Sequence, residues 1–450
     1  MAAKRDDPRA AFIEACVWHG SLERAEAILA EHPEVASSDV HTAAVLGDDA
    51  AVRRFLALDT ANATSKGGPQ GWDALTHLCF SKYLRLDRGR TGGFVRAATA
   101  LLDAGANANT GFHDLNHEPE PEWESALYGA AGVAHHAEMT RLLLERGADP
   151  NGGETSYHAP ETHDNAALRV LLESGKLNDE SLATMLLRKA DWHDLDGIKL
   201  LLEHGADPNR MTRWHHTALH QALRRDNDLE CVEALLDRGA DPTLENRWDG
   251  KSAVAIAARR GRGDVLESFE RRGILPELHG VERLIAACAR NDAVGVRSIM
   301  EREPPLVREL LADGGTLLAE FAGTANTDGV RLLLDLGVDV SARYDEGDSY
   351  FGIAKDSTAL HVAAWRACHG TVRFLIARGA PIDILDGKGR TPLALAVRAC
   401  VDSYWTNRRS PESVEALLNG GASVSGVESP SGYAQVDELL RSRGRYPSTG

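Results

Sequence analysis

The side chains in this sequence best suited to chemistry are histidines and carboxylates gathered between residues 123 and 225. Counting back from Gly175 and Gly205 aligns His163-Asp164 with His193-Asp194, and Glu161 with Asp191. His135-His136 falls at about the same place one step earlier. If these residues end stacked helices ~8–10 Å apart, facing imidazoles could share one metal at ~2.0–2.1 Å each. Asp164, Asp191 or Asp194 could instead orient His163, His193 or His215 as a general base. The competing expectation is plainer: His and Asp at a helix end usually satisfy backbone groups or pair locally. No metal and no cofactor is therefore assigned.

A second set of residues suits recognition. Trp72, Trp123, Trp214 and Trp248 each precede a helix-opening box, which puts them on or near the segments joining successive helix pairs. Trp is the residue type most enriched at binding hot spots. Tyr157-His158 and Trp192 fall on the same side of the same units, and make residues 123–225 the richest candidate groove. Aromatic rings beside carboxylates could hold a cationic side chain or a small ligand. Near the C-terminus, Tyr404, Trp405 and Arg408 share a short insertion with the composition of a contact patch. Two further insertions stand out. Residues 80–94 combine Lys82, Arg85, Arg88 and Arg90 with Thr91-Gly-Gly93, and are expected to form an exposed loop. Residues 110–124 are acidic and proline-containing, and are expected to be a solvated loop.

The elements that position these residues follow from a repeat. "LLL-x-x-GADPN" or a looser copy recurs at Leu142–Asn151, Leu200–Asn209 and Ala234–Pro242, with weaker endings at Gly105, Gly175, Gly337, Gly379 and Gly421. Upstream lie Thr217-Ala-Leu-His220, Thr358-Ala-Leu-His361 and Thr391-Pro392-Leu393. The Thr hydroxyl can cap a first helix. In the second helix, Val372, Leu375 and Ile376 bury one face, and Gly379 ends it without a Cβ penalty. His220 and His361 are assigned to the fold rather than to a site.

These boxes resemble the ankyrin signature T-P-L-H-x-A. The resemblance implies an all-α solenoid of about twelve helix-turn-helix units with short β-hairpin-like fingers. It is laid out as one continuous domain over residues 9–445: a cap-like repeat at 9–39, repeats over 40–425 with insertions at 80–94, 110–124 and 402–410, and a capping helix at 430–445. Gly71-Trp-Asp-Ala-Leu-Thr-His77, Trp192-His-Asp194 and Ser403-Tyr-Trp405 are similar to a bacterial group with degenerate repeats. For ankyrin proteins generally, the resemblance implies non-catalytic protein binding through fingers and first helices.

Composition narrows the partner. The formal net charge is −17, which excludes a phosphate-neutralising nucleic-acid surface and suits a basic partner. No apolar run approaches the ~18–20 residues that span a bilayer, and the start MAAKRDDPRAAFIEAC lacks a signal-peptide core. The cysteines Cys16, Cys79, Cys231, Cys288, Cys368 and Cys400 are widely spaced and fall mostly on apolar helical positions, as in a reducing cytoplasm. The first expectation is a scaffold that grips a protein or peptide along its concave face. The alternative is an enzyme or a small-ligand or metal-binding protein built on the central His/Asp/Trp cluster.

Overall fold

The computed structural model describes residues 7–117, 120–274 and 278–443. Its contacts group into two compact units that meet in sequence at Asp241 and Pro242. Both are built from helix pairs, with 27 α-helices among the described residues and three two-stranded hairpins.

One pair of the first unit shows how the sequence specifies the element. Thr217 opens helix Ala218–Arg224, and its Oγ1 lies 2.7 Å from Nδ1 of His220 in a reciprocal capping box. Two otherwise orphaned donors at the helix start are satisfied this way. The return helix Leu229–Asp237 buries Val232 and Leu235, four apart less one, on the face toward its neighbours. Gly239 follows with φ +85°, a left-handed value that costs glycine nothing. Thr358 and His361 repeat the box in the second unit at 2.9 Å, ahead of helix Ala359–Trp365.

Between the two helices of a pair the chain also passes through the left-handed region. Trp18, His135, His193, Asp226, Asn291, Ala325 and Ala367 all have positive φ there, as do Gly47 and Gly261. For a residue with a Cβ this conformation costs roughly 1–2 kcal/mol. The next residue often caps the return helix: Asp48, His136, Asp194, Asp292 and Asn326 each accept from a backbone N–H three positions on.

Successive fingers of the first unit are joined by an asparagine clamp. Asn109 donates to the Gly147 carbonyl at 3.0 Å and accepts from the Asp149 N–H at 2.8 Å. Asn151 does the same with Lys176 and Asn178, at 3.0 and 2.7 Å. Asn209 does so with Gly239 and Asp241, at 2.8 and 2.7 Å. The final Asn of the GADPN phrase is thus a side chain that ties one repeat to the next.

The insertions differ from expectation. Residues 80–94 are not an exposed loop: helix Lys82–Leu86 buries Tyr83 and Leu84, and Phe80 and Phe94 are fully buried at either side. The apolar residues among the arginines account for this. Residues 110–124 are paired rather than loop-like, since strands Gly111–Asp114 and Glu122–Ser125 form an antiparallel hairpin. Residues 118 and 119 of that insertion lie outside the described residues.

In the second unit, helix Pro305–Ala312 stands between the pairs Val281–Ala289/Ala293–Arg302 and Gly314–Gly323/Thr327–Asp335. The unit's aromatic cluster joins Tyr344, Phe351, Ile353, Val362 and Trp405. Arg366 is buried within it, its guanidinium 4.3 Å from the Phe351 ring and 4.2 Å from the Trp405 ring. The last helix is Ala434–Arg443; positions 444 and 445 of the expected cap, like residues 1–6, lie outside the described residues.

Candidate functional site

The richest constellation of the first unit starts from one helical turn. In helix Gly153–His158, Glu154 and His158 are four apart and so share a face. Glu154 Oε2 lies 3.0 Å from His158 Nε2, and Glu161 Oε2 lies 2.7 Å from His158 Nδ1. Burial opposes a charged ring, but the two carboxylates outweigh it and push His158 up to about 9. The other oxygen of Glu161 takes Arg188, which also pairs with Asp191 three residues along helix Asp179–Asp191. Asp191 in turn accepts from Nε of Arg225 at 2.7 Å and from Nε2 of Gln221. Gln221 is bonded to buried His216 at 2.7 Å. The chain of contacts therefore alternates in sign from Glu154 to Arg225 and crosses three successive first helices.

Aromatic rings line this network. Arg188 lies over Tyr157 at 3.9 Å, Arg213 over Trp214 at 4.5 Å, and the Tyr157 and Trp214 rings are 5.5 Å apart. The Tyr128 ring sits 5.3 Å from that of His158. Tyr157 and Trp214 are half-buried, so each is held by packing while keeping one side open.

The residues singled out for chemistry are placed otherwise. Asp164 accepts from the Ala166 N–H at 3.0 Å and so caps its helix, while His163 is exposed with its ring 5.9 Å from that of Trp192. His193 occupies the left-handed turn at φ +50°. Asp194 caps Gly197 at 3.0 Å and binds the fully buried Lys189 at 2.6 Å. His215 is exposed in a finger turn at φ +67°, where its N–H donates to the Thr212 carbonyl at 2.8 Å. Among the described residues, no three His, Cys, Asp or Glu side chains converge to hold a metal.

The aromatic residues divide into buried and presented. Trp72, expected on a finger surface, is 8% exposed because its ring stacks on Phe112 at 4.0 Å. Trp405 is buried by Phe351 and Arg366, and Arg408 reaches its ring at 5.9 Å. Trp123 is 41% exposed, edge-on to His113, and Trp248 and Tyr404 are exposed at 70% and 51%. Trp192 is half-buried. Sequence reasoning passed over Glu124, Glu154, Arg188, Lys189, Gln221 and Arg225. The Glu154/His158 and Arg188/Asp191 spacings were available as signals, whereas the contacts of Lys189, Gln221 and Arg225 span separate helices.

Capped helix pairs linked by fingers, with a recurring Thr-Ala-Leu-His opening, define an ankyrin-repeat protein. The chain belongs to that family: the model for ankyrin repeats (three copies) matches residues 186–274 and 284–426, just over half of the chain. A stretch of 85 residues is 38% identical to serine/threonine-protein kinase 12 of Arabidopsis thaliana, covering 19% of this chain and 17% of that kinase. The crystal structure of the human ASB11 ankyrin repeat domain matches with a TM-score of 0.41 and 26% identity, over 53% of this chain and all of that one. Among the described residues no helix is long and apolar enough to cross a membrane.

Proposed function

We propose that this chain is a non-catalytic scaffold that binds a protein or peptide along the concave face of its first helices and fingers. Ankyrin repeats generally mediate protein–protein interaction, and the proposal places that interaction over residues 123–225. One observation carries it. Tyr157 and Trp214, 5.5 Å apart, are fixed aromatic anchors set in a polar network that runs across successive repeats. A rigid ring surrounded by satisfied charges is the usual anatomy of an interface hot spot. Trp123, Trp192 and His158 extend the same face. Trp248 belongs to the finger at the start of the second unit, and Tyr404 and Arg408 are a separate contact patch. All six cysteines are reduced and buried, which supports a cytoplasmic setting.

The test is capture of partners from a lysate of the native host by wild type, Tyr157→Ala and Trp214→Ala chains with matching far-UV spectra. A protein held by wild type and lost by both variants supports the reading. A partner recovered equally by all three places binding elsewhere.

A further inference from the structure

The hairpin over residues 111–125 carries more negative charge on one face than its surroundings balance. Side chains alternate along a strand, so Glu122 and Glu124 point to one side and Trp123 to the other. Across the hairpin, Asp114 pairs with Glu122 and Phe112 with Glu124, which brings Asp114 to the same face. Like charges directly opposite each other destabilise a strand pair. That face turns toward helix Gly153–His158: Oε1 of Glu122 lies 3.3 Å from where a Cβ on Gly153 would sit. The missing side chain of Gly153 leaves the space open.

Glu124 forms the floor. It is 3% exposed, and its Oε2 is buried without a hydrogen-bond partner. An orphaned carboxylate oxygen is among the costlier groups to bury. Its charged neighbours are Asp114 and Glu122 on the hairpin, and Glu154 and His158 on the helix. His158 is already shared between Glu154 and Glu161. Arg213 approaches Gly153 from the far side while lying on Trp214, and exposed His117 bonds the Glu120 carbonyl. The alternation of sign that runs from Glu154 to Arg225 thus breaks at this end, where carboxylate faces carboxylate. Among the described residues the carboxylates do not converge as metal ligands do. The aromatic walls, Tyr128 and Tyr157, suit an organic cation.

We propose that this face receives one cationic side chain, an arginine or lysine of the bound polypeptide, which enters over Gly153 between Glu122, Glu124 and Glu154. The inference rests on the scaffold reading and names the chemistry of the partner at one place. Burial and the neighbouring carboxylates push Glu124 up to about 8, so it enters the complex by giving up a proton. Affinity for the cation then rises with pH by up to about tenfold per unit below that value and levels off above it.

The experiment is a 19F NMR titration of the full chain labelled with 5-fluorotryptophan. The probe is acetyl-Gly-Gly-Arg-Gly-Gly-amide, run beside its lysine counterpart and its neutral citrulline counterpart. A saturable shift of the Trp123 or Trp214 resonance is expected with arginine or lysine and not with citrulline. Glu124→Gln, an isosteric change that removes a buried charge site, should weaken binding about tenfold with the far-UV spectrum unchanged, and Glu122→Gln should weaken it less. No saturable shift, an equal response to citrulline, an unaltered Glu124→Gln chain, or displacement of the peptide by millimolar calcium chloride would each overturn the proposal. A captured protein partner lost with Trp214→Ala but retained with Glu124→Gln leaves the scaffold standing and removes the cation site alone.

Discussion

Replacing Lys189 by methionine should be one of the most destabilising single changes in the first unit. The ammonium is fully buried and makes two contacts of 2.6 Å, to Asp194 Oδ2 and to the Thr162 carbonyl, so it joins its own helix pair to the preceding one. Its stem lies where a Cβ on Gly197 would fall, 2.5 Å from Cδ, so the glycine makes room for it. Methionine keeps that stem, and little packing is lost. What remains is a buried Asp194 carboxylate without its cation, which costs about 3–5 kcal/mol. Asn165 and the Gly197 N–H still bond the carboxylate, at 2.9 and 3.0 Å, which argues for the lower half of that range. Asp194→Asn should cost a similar amount by stranding the ammonium. The double variant should recover most of the loss, because an amide facing a thioether leaves no charge behind. Urea unfolding followed at 222 nm, with hydrogen exchange at the Gly197 and Ile198 amides, measures all four corners of the cycle. A Lys189→Met chain within about 0.5 kcal/mol of wild type, or a double variant worse than either single, would refute the reasoning. The pH dependence follows the same pair. Burial tends to raise Asp194, but the Lys189, Gly197 and Asn165 bonds together hold it below the usual carboxylate range. Its contribution is therefore full above about pH 4 and fades as the pH falls through the depressed value.

Other outcomes follow from the same geometry. His158 should titrate in an NMR experiment near its raised value of about 9, and Glu161→Gln should bring the midpoint down. Because its folded value is raised, its stabilising contribution is complete below about pH 6.5 and disappears as the pH rises toward 9. Trp72→Ala removes a ring stacked on Phe112 and should cost about 3–5 kcal/mol in thermal or urea unfolding. Trp248→Ala, at a ring 70% exposed, should change stability by no more than about 0.5 kcal/mol.

The repeat was readable because its determinants are local. Thr217 with His220, and Thr358 with His361, act within one helical turn, and Gly147, Gly205, Gly239 and Gly379 hold the left-handed values that their places at helix ends suggest. The site was less readable for two physical reasons. First, the left-handed turn between paired helices accepts several residue types at modest cost, so His135 and His193 look like candidate ligands when their backbone position explains them. Second, partners meet across repeats. Lys189 finds Thr162 at 27 positions' distance, and Asp191 finds Arg225 at 34. The chemistry of Asp191 and Asp194 is consumed by these contacts, and the sequence shows only that the residues are acidic. Trp72 likewise reads as a finger residue until Phe112, a repeat away, is seen to cover it.

The asparagine clamp bears on how such a chain can lengthen over generations. Asn109, Asn151 and Asn209 each reach forward to a carbonyl and an N–H of the following repeat. Those two recipients are main-chain groups, present whatever the side chains are. A tandem duplication that copies one unit, with its Asn and its glycine-terminated helix, therefore copies a working donor and a working acceptor at once. The new junction is joined correctly from the first generation, before any substitution has adapted it. Divergence is then free to act on the first helices, where neighbouring copies such as those bearing His158, Arg188 and Gln221 already differ.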